Sequence, residues 1–376
     1  MKDETKIFVT KPYLPPFDEF VEGLREIWET KLLTNQGPIH NQFLELVRNY
    51  LKIAHLDLLV NGHQALEIAI RALDLTGEVI TTPFSFASTS HAIVRCGLTP
   101  VFADIDPDTY NLAPSSIEPL ITEKTSAIMP VHVYGTPCDI EGIDQLAKKY
   151  DLKVIYDAAH AFGVEIDGQG IGNFGDISMF SFHATKVFHS IEGGALAFVD
   201  EDLKRRVYLE KNFGIANAEE VILPGTNAKM NEFQALMGMI NLRHIDEEIQ
   251  KREKVVRKYR EVFGEIDGIK LLPEASESLR SNFAYFPILI DEDAYGLSRN
   301  ELFDLLGQNN IFARKYFYPL ITDYNCYSEE FKIKLPIASL VADRVITLPL
   351  WGDIGDDTIA RICSIITNEK NNWSKF

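Results

Sequence analysis

Between about residue 56 and residue 200 the hydrophobic period switches repeatedly from two to 3.6 and back, and no other feature constrains the fold as tightly. Apolar, β-branched runs at HLDLLV (55–60), EVITT (78–82), PVFADI (100–105), SAIMPVHV (126–133), KVIYDA (153–158), ISMFSFH (177–183) and ALAFVD (195–200) read as strands. Between them, QALEIAIRALDL (64–75), STSHAIVRCG (88–97) and 139–150 read as helices. Strands that alternate with helices pair in parallel, since each crossover returns the chain to the same end of the sheet. The helices then cover both faces. The expectation is an α/β fold with a mostly parallel central sheet.

After Gly225 the pattern changes. Residues 231–243 and Ile245–Phe263 read as long helices, the second with Ile245, Ile249, Val256, Tyr259 and Phe263 along one face. A smaller α/β unit follows, with strand-like FAYFPILI (283–290) and helices at 299–309 and 356–368. The boundary is placed near residue 250, within helix, which gives a large unit 1–250 and a small C-terminal unit 251–376.

Composition excludes some partners. Lys and Arg number 37 against 55 Asp and Glu, a net charge of −18. That argues against nucleic acid or an anionic membrane as a general partner. A small anionic substrate then needs a local cluster of cations. Cys96, Cys138, Cys326 and Cys363 have no paired spacing, so neither a disulfide framework nor a metal site is expected. The charged start MKDETKIFVTK lacks the apolar core of a signal peptide, and no apolar run approaches the ~18 residues of a membrane helix. A soluble, cytoplasmic protein is expected.

Ligands of an open parallel sheet bind outside the carboxyl ends of its strands, and the residues with chemistry fall at those ends. Lys186 follows ISMFSFH and leads into a turn at Gly193-Gly194. A lysine held there in low dielectric shifts toward the neutral, nucleophilic amine that forms a Schiff base with an aldehyde; a solvated lysine is the plain alternative. Asn61-Gly62-His63-Gln64 lies at a strand-to-helix turn, where a glycine and free N–H groups admit a phosphate, or where the chain simply turns. Phe84-Ser85-Phe86 offers an aromatic either to a flat ring or to the core. Asp157 can pair with a protonated pyridine nitrogen or cap a helix, and His160 lies three residues on. Ser181 can reach a phosphate. Each segment suits one part of pyridoxal phosphate, and all of them fall at strand ends.

Taken with PVFADIDPDTYNL, PVHVYGTPCD and PGTNAKMNEFQA, the runs DAAHAFG and SFHATK followed by EGGA resemble the sugar-nucleotide aminotransferases of the DegT type, which are fold-type I pyridoxal phosphate enzymes. The likeness runs from about Ile7 to the C-terminal helix. It implies that Lys186 is the Schiff-base lysine and acid/base, Asp157 the partner of the pyridine nitrogen, and His160 a hydrogen-bond partner of the ring's phenolic oxygen, where many relatives carry glutamine. It further implies that Phe86 stacks on the ring and that Gly62, His63 and Ser181 hold the phosphate. His63 departs from the threonine usual there. Asn227 resembles the asparagine that reaches the phosphate of the neighbouring subunit, so the resemblance implies a homodimer. IFVTKPYLPP, LTNQGP and RKYFYPL look closest to the members that make dTDP-4-amino-4,6-dideoxyglucose from the 4-keto-6-deoxy sugar with glutamate as donor. Lys229, Arg314, Tyr316 and Tyr318 are then candidates for the nucleotide-sugar pocket, against a solvated lysine and core tyrosines. The alternatives are a 3-ketosugar or UDP-linked substrate, a dehydratase of the same fold (which would carry histidine in place of Lys186), or a regulator that binds the cofactor without turnover.

Overall fold

The computed structural model describes residues 6–327, 329–331 and 333–373. The strands that bear on the site and the two cores, in chain order, are β1 (Ile7–Phe8), β2 (His55–Leu59), β3 (Glu78–Thr81), β4 (Thr99–Phe102), β5 (Thr125–Met129), β6 (Lys153–Asp157), β7 (Ile177–Ser181) and β8 (Gly194–Phe198). Then come β9 (Ile269–Leu271), β10 (Phe286–Ile290), β11 (Ile311–Phe312) and β12 (Val345–Leu348). Strands β2 to β8 form one seven-stranded sheet in the order β2-β8-β7-β6-β5-β3-β4.

All neighbours in that sheet pair in parallel except β8, which runs antiparallel to both β2 and β7. Composition marks the run ALAFVD only as another strand. A strand buried on both faces is apolar throughout whichever way it points, so its direction leaves no trace in composition. Pro130 follows β5 directly and has no N–H to donate, so SAIMPVHV is strand only as far as Met129.

Helices pack both faces of the sheet. On one side Phe43, of helix Pro38–Tyr50, packs with Phe162, Phe180, Phe182 and Phe188 in a core that helix Glu232–Leu242 also covers. The other buries Leu66 and Ile68 of Gly62–Ala72 against Val79, Ile155 and Leu196. A second core forms around the antiparallel sheet β9-β10-β12. Helix Ile245–Phe263 belongs to both, with Ile245 and Ile249 in the first core and Val256, Tyr259 and Phe263 in the second. β1 pairs in parallel with β11, and Ile7 is buried in the second core, so the start of the described chain packs beside residues more than 300 positions later. No helix among the described residues is long and apolar enough to cross a membrane.

Candidate active site

The carboxyl ends of β2, β3, β5, β6 and β7 open onto one cavity of about 420 Å³, a size suited to a small organic ligand. Gly62, His63, Phe86, Asp157, His160, Ser181, Lys186 and Tyr316 all line it. The strand order brings together residues spread over more than 250 positions of sequence.

Asp157 ends β6 and is 4% exposed. Thr89 Oγ1 donates to its Oδ2 at 2.8 Å, the backbone N–H of Ala159 donates to Oδ1 at 3.1 Å, and Thr89 is in turn within 2.9 Å of Ser85 Oγ. No helix follows, so the capping alternative fails; the carboxylate is aimed by its neighbours into the cavity. Burial raises its pKa, while Thr89, Ala159 and the Lys186 ammonium oppose the shift. Burial likewise pushes Lys186 down to about 8, against the pull of Asp157 and Tyr316. Each charge lacks the solvent it had when unfolded, and a cationic ring nitrogen placed between them would restore a partner to Asp157.

Tyr134 adopts φ 58, and its N–H thereby donates to His160 Nδ1 at 3.2 Å. With Nδ1 accepting, the proton of the neutral ring sits on Nε2, which has no protein partner among the described residues. Burial, aided by Lys186, holds His160 well below the ordinary histidine range, so it stays neutral. Asn282 donates to the carbonyls of His160 and Phe162 at 2.8 and 2.9 Å and so fixes the loop from the small unit's side. The two phenylalanines after β3 divide between the two readings: Phe84 is fully buried, and Phe86 is 59% exposed on the cavity wall.

Asn61 caps helix Gly62–Ala72 by accepting from Gln64 N at 2.8 Å. The N–H groups of Gly62 and His63 then have no intrahelical acceptor, which is the anion-binding end of a helix. Gly62 is favoured by close approach: a Cβ would lie 3.1 Å from Met179 Sδ and from Ser181 Cβ, a tight fit. Gly194 is tighter still, since a Cβ would meet the backbone of Asn61 at 2.8 Å. His63 Nε2 lies 3.3 Å from Glu67 Oε1, while its buried Nδ1 has no partner.

Asn227, Lys229, Arg314 and Tyr318 do not line this cavity. Lys229 Nζ donates to Asn212 Oδ1 at 2.9 Å and Asn227 Oδ1 at 3.0 Å and lies over the exposed ring of Phe213. Arg314 forms a backbone bridge with Thr347, its guanidinium 6.0 Å from the Tyr316 ring, and Tyr318 lies beneath Arg299. Tyr285 and Phe317 complete the wall and were not singled out from sequence. Nor was Thr89, whose one signal was a hydroxyl in the first turn of helix Ser88–Arg95. A larger groove of about 1120 Å³ lies where β6 begins, but Asp139, Asp144, Asp151, Asp176 and Asp200 line it, a poor match for an anionic substrate.

A sheet covered on both faces, with a half-buried lysine and a buried carboxylate and histidine at its carboxyl ends, suits an aminotransferase. The chain belongs to the DegT/DnrJ/EryC1/StrS aminotransferase family, which it matches over residues 17–367. It is 44% identical over 368 residues to the dTDP-4-amino-4,6-dideoxy-D-glucose transaminase of Shigella dysenteriae, covering 98% of this chain and 100% of the relative. The enzyme of the same description from Escherichia coli is also 44% identical, over 372 residues, with 97% and 99% covered. Among solved structures, DesI in the presence of its TDP-sugar product superposes with a TM-score of 0.92 at 34% identity, covering 98% of this chain and 95% of that one.

Proposed function

We propose that this protein transfers the amino group of glutamate, through pyridoxal phosphate, to C4 of dTDP-4-keto-6-deoxyglucose, giving dTDP-4-amino-4,6-dideoxyglucose. The observation that carries the reading is the meeting of Lys186, Asp157, His160, Phe86 and Ser181 in one cavity beside free helix N–H groups. The two relatives at 44% identity supply the sugar and its base.

The residues present fit the cofactor. His63 Nδ1 is an unpartnered buried polar atom, Phe86 presents a bare aromatic face, and Asp157 is a buried carboxylate short of a cation. Gly62, His63 and Ser181 would hold the phosphate, Phe86 the ring face, His160 Nε2–H the phenolic oxygen and Asp157 the pyridine nitrogen. When bound, pyridoxal phosphate supplies an aldehyde that exchanges amines and a ring that withdraws electrons from the reacting carbon.

The chain's own work is acid–base chemistry and positioning. Lys186 Nζ takes a proton from one carbon and returns one to C4 of the sugar, which its low pKa makes feasible near neutral pH. Asp157, pinned by Thr89 and Ala159, keeps the opposite end of the site anionic. Tyr285, Tyr316 and Phe317, from the unit assigned here to 251–376, cover the cavity opposite the cofactor-binding unit 1–250 and exclude water.

Asn227 is exposed and Lys229 half-buried, they are hydrogen-bonded to each other, and neither lines their own chain's cavity. We assign them to the active site of a second subunit, so that the working form is a homodimer with shared sites. Lys229, Arg314, Tyr316 and Tyr318 are the groups proposed for the nucleotide sugar, the two cations suiting its diphosphate. Nucleotide sugars and glutamate are cytoplasmic metabolites, and the enzyme is proposed to act there.

The test is a panel of dTDP- and UDP-linked 3-keto and 4-keto sugars with glutamate, following 2-oxoglutarate release and the aminated product. Turnover greatest with dTDP-4-keto-6-deoxyglucose is expected. Preference for a 3-keto or UDP-linked sugar would replace the substrate assignment, and no turnover with any ketosugar would revive the non-catalytic reading.

A further inference from the structure

His63 occupies the position at which the family resemblance expects a threonine hydroxyl, and an imidazole cannot donate to a phosphate unless its facing nitrogen carries hydrogen. Nε2 lies 3.3 Å from Glu67 Oε1; Nδ1 is buried and unpartnered, on a residue that lines the cavity. Glu67 is itself 6% exposed and fixed on every side. Arg95 Nε reaches its Oε1 at 2.5 Å and Gln64 Nε2 its Oε2 at 3.2 Å. A carboxylate only accepts hydrogen bonds, so the His63 nitrogen facing it carries hydrogen.

We infer that Glu67 is the positioning residue of the phosphate cradle: it orients the His63 ring so that Nδ1–H donates to the cofactor's phosphate. The inference rests on the pyridoxal phosphate reading above. The proposed pair of bonds, to Glu67 on one side and to a phosphate oxygen on the other, requires hydrogen on both ring nitrogens. The ring then supplies a charge-assisted bond where a hydroxyl would supply a neutral one. Arg95 stands nearby and offsets the Glu67 carboxylate. The arrangement is built from residues four and 28 positions apart that one helix-to-helix contact brings together, Gly62–Ala72 against Ser88–Arg95.

The experiment compares pyridoxal phosphate with pyridoxal, which lacks the phosphate, by equilibrium binding to the cofactor-free protein. Glu67→Gln is expected to weaken pyridoxal phosphate by about tenfold, as loss of one charge-assisted bond does, and to leave pyridoxal unchanged. In a His63→Thr background, Glu67→Gln should change the phosphate ester's affinity by less than about twofold, since the route through the imidazole is gone. Equal weakening of both ligands would overturn the inference as a merely structural effect. An undiminished tenfold loss in the His63→Thr background would overturn it as well, because Glu67 would then act without His63. Unchanged binding in Glu67→Gln removes this inference and leaves the aminotransferase reading intact. Failure of the wild-type protein to bind either ligand removes both.

Discussion

At the scale of single residues, the site is governed by two charges that burial drives toward neutrality. Lys186 falls to about 8 from an ordinary 10.5 because the cavity withholds solvent from its ammonium. Its reaction with an amine-directed acylating reagent should therefore rise with pH about a midpoint near 8; a midpoint near 10.5 would refute the shift. The linkage has a definite sign. Between 8 and 10.5 the unfolded chain binds more protons at this lysine than the folded one does, so the cofactor-free protein gains stability as pH rises through that window. Lys186→Met should remove that gain and abolish amine transfer. Asp157→Asn keeps the hydrogen-bonding shape but not the charge. It should lower kcat by about 10²–10³, the usual scale for losing one electrostatic group aimed at a reacting centre, while thermal unfolding shows a folded protein. Thr89→Val leaves Asp157 Oδ2 without its donor and should cost about 1–3 kcal/mol in urea unfolding.

At the scale of elements, the cradle depends on how closely β8 passes the turn between β2 and helix Gly62–Ala72. Gly194→Ala would drive a Cβ into the Asn61 backbone, which cannot rotate away as a side chain would. A loss of about 1–3 kcal/mol by denaturant titration is expected, together with weakened cofactor affinity. How much of this was legible in sequence follows from the kind of signal each piece leaves. The strands β2 to β8 and the helices between them were readable because burial imposes a period on every few residues. The antiparallel direction of β8 was not, since a strand apolar on both faces looks alike in either sense. Asp157, His160, Phe86 and Lys186 could be found because each follows a strand whose end was visible. Thr89, Tyr285 and Phe317 could not, because only tertiary packing carries them to the cavity and nothing local marks them. Tyr134 is a sharper case: its left-handed backbone, which fixes the His160 tautomer, has no composition cue at a tyrosine.

At the scale of the whole molecule, helix Ile245–Phe263 joins the two cores and carries a buried ion pair where they meet. Arg252 Nε donates to Glu248 Oε1 at 2.8 Å, and the same oxygen accepts from Gly352 N at 3.0 Å. Glu248→Ala strands the guanidinium and should cost about 3–5 kcal/mol in global stability. The proposed dimer has its own test. A Lys186→Ala protein and an Asn227→Ala protein, each impaired alone, should recover activity when unfolded and refolded together. The mixed dimer holds one site with both defects and one with neither. No recovery would place Asn227 in its own subunit's site or outside any site. The central claim, that Lys186 is the amine joined to the cofactor, is tested most directly by reducing the reconstituted protein with borohydride and mapping the modified peptide by mass spectrometry. The expected result is a phosphopyridoxyl group on Lys186 alone; an unmodified Lys186, or the group on another lysine, would contradict the account.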